Sequence, residues 1–191
     1  MSTVKIIVAL GNPGAKYQNT RHNAGWLALD YFISDLKNKV EDLSWQKKFD
    51  SEILHLGHSD TNSDTSDYML VKPQTYMNES GRAVKAVCDF YKIDISANLL
   101  VLHDDTDLPL GALRVTGSSS AAGHNGVQDI IDKLGSQDFH RIRIGVESRL
   151  NRNTMPTEAF VLQNFSDDEL VKLREEAFLK VTGEIKNFLA K

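Results

Sequence analysis

The chain has 191 residues, of which 41% are hydrophobic, and this is enough for one substantial core without requiring a second domain. We therefore expect a single domain over residues 1–191. The formal net charge of −4 argues against a protein that coats nucleic acid non-specifically, because such binding needs clustered Lys and Arg side chains. A local basic patch remains compatible with this charge.

The sequence contains no signal for export or for membrane insertion. The first apolar run, residues 4–10, is too short for a signal peptide and leads into Gly11-Asn12-Pro13-Gly14 instead of a cleavage site. No later stretch is long enough to span a membrane. The only cysteine, Cys88, lies in a helical pattern, so an internal disulfide is impossible and core packing is its expected role. We expect a cytoplasmic protein without membrane contact.

Apolar, β-branched runs alternate with segments of helical spacing. The predicted strands are 4–10, 53–56, 68–71, 99–102, 113–115 and 142–146. Helical spacing of apolar residues appears over 24–31, 83–91 and 127–134, and Ser166-Asp167-Asp168-Glu169 is a capping box that opens a last helix. The polar, acidic stretch 58–67 predicts a mobile loop between two strands. This alternation predicts an α/β sheet covered on two faces.

Polar side chains follow four of the predicted strands. They are Asn12 and His22 after the first, Gln74, Asn78 and Glu79 after the third, His103, Asp104 and Asp105 after the fourth, and His124 and Asn125 after the fifth. Sites in open α/β sheets form outside the carboxyl ends of strands. We therefore expect these four loops to converge on one crevice.

His22 is the leading candidate for proton transfer, because histidine titrates near neutral pH and this one ends an irregular loop. A carboxylate such as Asp104 can accept a hydrogen bond from one imidazole nitrogen, which leaves the other to take a proton from water. A structural, hydrogen-bonded histidine is the alternative. The chain has no Gly-x-Ser-x-Gly motif and Cys88 lies within a helix, so water is the favoured nucleophile. His-Glu-x-x-His and Cys-x-x-Cys motifs are also missing from the sequence, so we predict no zinc site.

Amides and arginines supply candidate substrate contacts. Asn12, Asn78 and Asn125 lie on different loops and offer donors to an oxyanion, although an individual asparagine is more often a turn former or helix cap. The segment 123–126 opens a helix whose first N–H groups either bind a phosphate or form a plain cap. Arg141 and Arg143 share one strand face, where they either hold a phosphate or form surface ion pairs.

Four segments together resemble the bacterial peptidyl-tRNA hydrolases, and the resemblance runs from Val8 to Leu162. Its motifs are Gly11-Asn12-Pro13-Gly14 with Thr20-Arg21-His22-Asn23-Ala24-Gly25, Lys72-Pro73-Gln74-Thr75-Tyr76-Met77-Asn78-Glu79-Ser80-Gly81, His103-Asp104-Asp105-Thr106-Asp107-Leu108-Pro109-Leu110-Gly111, and Gly123-His124-Asn125-Gly126 before Phe139-His140-Arg141-Ile142-Arg143-Ile144-Gly145.

The resemblance implies a monomeric α/β hydrolase without cofactor, metal or obligate protein partner, in which helices flank both faces of a mixed, twisted sheet. Its substrate is peptidyl-tRNA, whose ester bond it cleaves. The resemblance assigns the catalytic base to His22 and its orienting carboxylate to Asp104. The substrate-binding residues that it implies are Asn12, Tyr17, Met77, Asn78, His124, Asn125 and Arg143, the last for the tRNA 5′-phosphate.

The chain departs from the family pattern at Thr116, where a lysine is frequent, and at 118–122, where glycines are usual. Both departures concern the tRNA grip and the mobility of that loop. Two other classes stay open: a binding protein, since a chloroplast splicing factor shares this scaffold, and a nucleotide-binding α/β protein. The intact His22, Asp104 and three asparagines favour the enzyme, and no Gly-x-Gly-x-x-Gly or Walker motif supports nucleotide binding.

Overall fold

The computed structural model describes residues 4–37, 43–57 and 67–191. Its strands are β1 (Lys5–Ala9), β2 (Gln46–Lys48), β3 (Ser51–Leu56), β4 (Tyr68–Pro73), β5 (Leu99–Pro109), β6 (Leu113–Thr116) and β7 (His140–Glu147). They form one sheet in the order β2-β3-β4-β1-β5-β7-β6. The four central strands β4, β1, β5 and β7 are parallel, whereas β2, β3 and β6 join by antiparallel pairing, so the predicted mixed sheet is confirmed.

The helices connect these strands and close the C-terminal part of the chain. They are α1 (Ala24–Lys37), α2 (Ser80–Tyr91), α3 (Ile95–Asn98), α4 (Asn125–Leu134), α5 (Thr157–Val161), α6 (Asp167–Lys172) and α7 (Leu179–Leu189), with a π-helical segment (Leu173–Phe178) between α6 and α7. The capping box predicted for the last helix is confirmed: the Glu169 N–H donates to the Ser166 hydroxyl, and the Ser166 N–H donates to the Glu169 carboxylate.

Helices cover both faces of the sheet, as its side-chain alternation requires. On β1, Ile7 and Ala9 belong to a core formed with α1 and the C-terminal helices, whereas Ile6 and Val8 belong to a second core formed with α2 and α4. Burial on both faces is typical of parallel strands. The predicted two-sided covering is confirmed, and it leaves the carboxyl edge of the sheet for function.

Two strands differ from the prediction. β5 continues to Pro109, so Asp104 and Asp105, expected in a loop, lie in the strand and pair with Ile144 and Gly145 of β7. Pairing with β7 sustains the strand even though its side chains become polar. The other difference is β2, which was not predicted because all three of its residues are polar and exposed. It pairs with β3 at the edge of the sheet.

The remaining sequence predictions concern a loop, the cysteine and membrane spans. The loop predicted over 58–67 lies, apart from Asp67, outside the described residues. Cys88 is buried on α2 as expected, and burial together with the charge of Asp89 raises the pKa of its thiol to about 12. Within the described ranges, no helix combines the length and the apolar character that a membrane span requires.

Candidate active site

The segment after β1 delivers His22 to the carboxyl edge of the sheet. His22 lies in a single 3₁₀ turn, Arg21–Asn23, that leads directly into α1. At Gly25, a Cβ atom would lie 2.6 Å from the carbonyl oxygen of Leu102 and 2.7 Å from that of Leu10. Glycine at this position therefore lets the start of α1 closely approach the end of β1 and the middle of β5, which brings His22 next to β5.

His22 and Asp104 form a buried hydrogen-bonded pair. Nδ1 of His22 lies 2.8 Å from Oδ1 of Asp104, and the two residues are 9% and 2% exposed. An ionised carboxylate only accepts hydrogen bonds, so Nδ1 carries the proton and Nε2 holds the lone pair. Among the described residues, none forms a hydrogen bond with this Nε2. The structure thus brings the predicted pair together with one nitrogen left for substrate.

The same carboxylate oxygen receives a second imidazole. Nε2 of His124 lies 2.8 Å from Oδ1 of Asp104. Nδ1 of His124 accepts a hydrogen bond of 3.2 Å from the N–H of Val127 and thereby caps α4. A nitrogen that accepts carries no proton, so the cap fixes the tautomer and makes Nε2–H the donor to Asp104. One oxygen therefore orients both His22 and His124.

These contacts set the charges of the cluster. Burial opposes a charge on His22, but the negative charge and hydrogen bond of Asp104 outweigh it and raise the pKa of His22 above its ordinary value. Burial also opposes ionisation of Asp104, but the two imidazoles outweigh it and lower its pKa below the usual range. The fully buried His103 has a pKa well below normal, because burial and His124 disfavour its charged form. The cluster therefore pairs one carboxylate with a base of raised basicity.

A cavity of about 340 Å³ opens over this cluster. Seven predicted residues line it: His22, His103, Asp104, Asp105, His124, Asn125 and Arg143. The prediction missed the wall contributed by the segment after β7, which comprises Arg152, Thr157, Glu158 and Val161. The signal was available, because β7 is parallel to β5 and ends at the same edge of the sheet.

Asn12, Met77 and Tyr17 lie outside the lining of that cavity. Oδ1 of Asn12 accepts a 2.8 Å hydrogen bond from the Met77 N–H, and the Asn12 N–H donates to Asn23 at 2.8 Å. These bonds fix both the backbone and the side-chain amide of Asn12, and the Nδ2 group of the side chain remains available to donate a hydrogen bond. The Tyr17 ring meets the exposed Tyr76 edge-on, with 6.5 Å between centroids.

The structure does not bring Asn78 into the cavity with His22. Asn78 is exposed and lines a separate pocket with Glu79, Arg82, Asp129 and Lys133. The reason is local. In the 3₁₀ turn Met77–Glu79, Met77 is buried, and its Sδ lies 2.5 Å from the position that a Cβ atom would take at Gly126. The next residue of this turn, Asn78, is exposed.

The two arginines of β7 have different roles. Nε of Arg143 donates to Oδ2 of Asp105 at 2.6 Å, and the side chain lines the cavity. Arg141 is 1% exposed and donates to the carbonyl oxygens of Ser119, Ser120 and Gln137. Both expectations for Arg141, a phosphate contact and a surface ion pair, are wrong, because the side chain is buried and its Nη atoms bind the loop before α4 and Gln137.

Ligand atoms of His22, Asp104 and His124 lie within 4.8 Å of one another, and these residues are the described group that could hold a metal ion. Their two contacts of 2.8 Å are hydrogen-bond distances. Neighbouring ligands of a tetrahedral zinc ion are about 3.3 Å apart, given bonds of about 2.0–2.1 Å. A metal at this position would have to displace both imidazole protons and spread the cluster.

Comparisons with known proteins agree on one family. The family model described as peptidyl-tRNA hydrolase matches residues 6–191. A peptidyl-tRNA hydrolase of Lactobacillus delbrueckii subsp. bulgaricus is 38% identical over 192 residues, which cover 98% of this chain and 94% of that protein. One from Desulfitobacterium hafniense is 40% identical over 90% of this chain and 86% of its own.

A solved structure shows the same fold. The crystal structure of peptidyl-tRNA hydrolase from Acinetobacter baumannii superposes with a TM-score of 0.75 at 31% identity, and the match covers 100% of this chain and 94% of that one. Fold, sequence and the order of motifs along the chain therefore agree, and the chain belongs to the peptidyl-tRNA hydrolase family.

Proposed function

We propose that the chain hydrolyses the ester bond between peptide and tRNA in peptidyl-tRNA, with His22 as the general base that activates water. Family membership supports the reaction. The observation that carries the mechanism is the 2.8 Å bond between Nδ1 of His22 and the buried Asp104, because it fixes the tautomer in which Nε2 can accept a proton.

The reaction can be written with the groups at hand. Nε2 of His22 takes a proton from water, the resulting hydroxide attacks the ester carbonyl, and a tetrahedral oxyanion forms. Asp104 stabilises the imidazolium that His22 becomes. The intermediate collapses by breaking the bond to the ribose oxygen, and the imidazolium returns its proton to that oxygen. Peptide and tRNA leave, and the base is neutral again.

The remaining predicted residues supply binding. The Nδ2 group of Asn12, oriented by Met77, is available as a donor to the oxyanion or to the peptide. Asn125 and Arg143 line the cavity, and Arg143 retains guanidinium donors for a phosphate of the tRNA after pairing with Asp105 through Nε. We assign Tyr17 and Asn78 to outer parts of the substrate, since neither lines the cavity.

We further propose that the enzyme acts as a monomer in the cytoplasm. The single buried cysteine suits a reducing compartment. The catalytic pair and its partners come from one chain, which supports the proposed monomer. Light scattering during gel filtration, combined with activity measured across protein concentrations, tests the monomer: specific activity that rises with concentration would contradict it.

Replacing His22 tests the mechanism. In His22→Ala we expect kcat for peptidyl-tRNA to fall by at least about 10²-fold, the low end for loss of a positioned acid–base group. The matched control is His55→Ala, which removes an exposed histidine on β3. Both variants should keep the wild-type circular dichroism spectrum. Normal turnover in a folded His22→Ala variant would contradict the proposal.

A further inference from the structure

Arg21, the residue before His22, is buried and does not line the cavity. It is 6% exposed. Its Nη2 atom lies 2.8 Å from each carboxylate oxygen of Glu169 on α6, and Nη1 donates to the carbonyl oxygen of Asn164 at 2.7 Å. Both oxygens of Glu169 thus share one guanidinium nitrogen while a carbonyl oxygen holds the other Nη atom, so the carboxylate and the backbone together orient the guanidinium. The turn that carries His22 is therefore tied to the C-terminal part of the chain.

The main chain repeats the same connection. The N–H of Arg21 donates to the carbonyl oxygen of Gln163 at 3.0 Å, and the N–H of Phe165 donates to that of Asn19 at 2.9 Å. Thr20 and Asn164 form an isolated antiparallel bridge. The segment just before the base thus pairs with the segment just before α6, with Arg21 closing the pairing.

Arg21 also reaches the wall of the cavity through aromatic contacts. Its guanidinium carbon lies 4.5 Å from the centroid of the Phe160 ring and 5.2 Å from that of Phe165. Phe160 belongs to α5, whose Thr157, Glu158 and Val161 line the cavity. One guanidinium therefore contacts the helix that forms the cavity wall while its own backbone carries the catalytic turn.

Glu169 is held as a charged partner. It accepts from the Ser166 N–H at 2.8 Å in the capping box, from the Ser148 hydroxyl at 2.6 Å and from Arg21. Burial opposes its charge, but these hydrogen bonds and the charge of Arg21 lower the pKa of Glu169. No neighbouring group in the described structure gives it a closer cationic contact than Arg21.

We propose that Arg21 and Glu169 form a positioning clamp that fixes the turn of His22 so that its imidazole meets Asp104 and the attacking water. This rests on the proposed role of His22. A three-residue turn has little internal rigidity, so the orientation of the ring depends on what holds its neighbours. A displacement of about 1 Å at a catalytic group can lower the rate on the order of 10²-fold.

Glu169→Gln tests the clamp with the smallest change in shape. Glutamine can still accept the capping hydrogen bond but loses the charge that orients Arg21. We expect kcat for peptidyl-tRNA to fall on the order of tenfold while KM stays within about twofold, because the geometry of the base changes and substrate contacts do not. Ser166→Ala is the matched control. It removes the cap of the same helix, lowers Tm, and should leave kcat unchanged.

The proton on Nδ1 of His22 gives a second readout. Its downfield NMR resonance, identified by its loss in His22→Ala, should shift or broaden in Glu169→Gln and in Arg21→Lys, and stay in place in Ser166→Ala. Wild-type kcat in folded Glu169→Gln would overturn the clamp, as would an equal kcat loss in Ser166→Ala. If His22→Ala retains turnover, the proposed base is wrong; if only the clamp variants behave as wild type, the base stands and the clamp does not.

Discussion

Two loops each deliver an imidazole to the same oxygen of Asp104, but the protein fastens them differently. The loop before α1 is held on both sides of His22: Arg21 binds the C-terminal segment, and Asn23 exchanges hydrogen bonds with the backbone of Asn12. The loop before α4, residues 117–124, is held chiefly by the guanidinium of Arg141.

The second loop also has an unfavourable backbone conformation. Ala122 has φ of +49°, in the left-handed region that favours glycine. It lies two residues before His124, within the stretch where the resemblance leads one to expect glycines. The comparison indicates that the base is fixed rigidly, whereas the imidazole that shares its carboxylate is carried by a loop with local strain. Changes at the two sites should therefore have unequal and distinguishable effects.

Among the substitutions that probe the two imidazoles, Asp104→Asn is expected to have the largest effect. The charge of Asp104 raises the pKa of His22, and the base works only when neutral, so wild-type activity is lost as pH falls through that raised pKa. Without the charge, the acid limb of kcat/KM should move to lower pH, while the plateau falls on the order of tenfold to 10²-fold because the imidazolium is no longer stabilised. A pH profile against wild type measures both. A defect far larger than that of His22→Ala would mean that the carboxylate itself is the base.

A smaller effect of opposite sign is expected from His124→Asn. Asparagine can still cap α4 but is too short to reach Asp104. Since the hydrogen bond from His124 lowers the pKa of Asp104, losing it makes the carboxylate a stronger acceptor for His22. The acid limb of kcat/KM should then move to higher pH, with kcat reduced roughly threefold. Limbs that move in the same direction in the two variants would refute the shared-oxygen arrangement.

The smallest effect concerns the strained loop. Ala122→Gly keeps the left-handed conformation but removes its strain, which costs an L-residue about 1–2 kcal/mol. This gain in stability is offset by about 0.4–1 kcal/mol, because glycine makes the unfolded chain freer. We expect the free energy of unfolding in urea to rise by up to about 1.6 kcal/mol, with kcat within about twofold of wild type. The control is Ala121→Gly, which removes a buried methyl group at an ordinary φ and should destabilise. Equal shifts in the two variants would contradict the strain.

The sequence predicted the features that depend on local pattern. Alternating apolar runs located six strands, and the polar residues at their ends located His22, Asp104 and His124. It could not separate Arg141 from Arg143, because both lie on one strand face and only the loop that covers Arg141 distinguishes them. The role of Arg21 could not be predicted either, because its partner Glu169 lies 148 residues away in the sequence.

Asp104 belongs to a strand, although the loops around it bring the other groups of the site. Its backbone pairs with Ile144 of β7, so the position of the negative charge is set by sheet register. Insertions in the segments after β6 or β7 can therefore change the shape of the cavity without moving the carboxylate. One residue inserted between Leu99 and Asp104 would instead turn the carboxylate to the opposite face of the sheet. The cavity walls can thus vary in length far more freely than the strand that carries the charge.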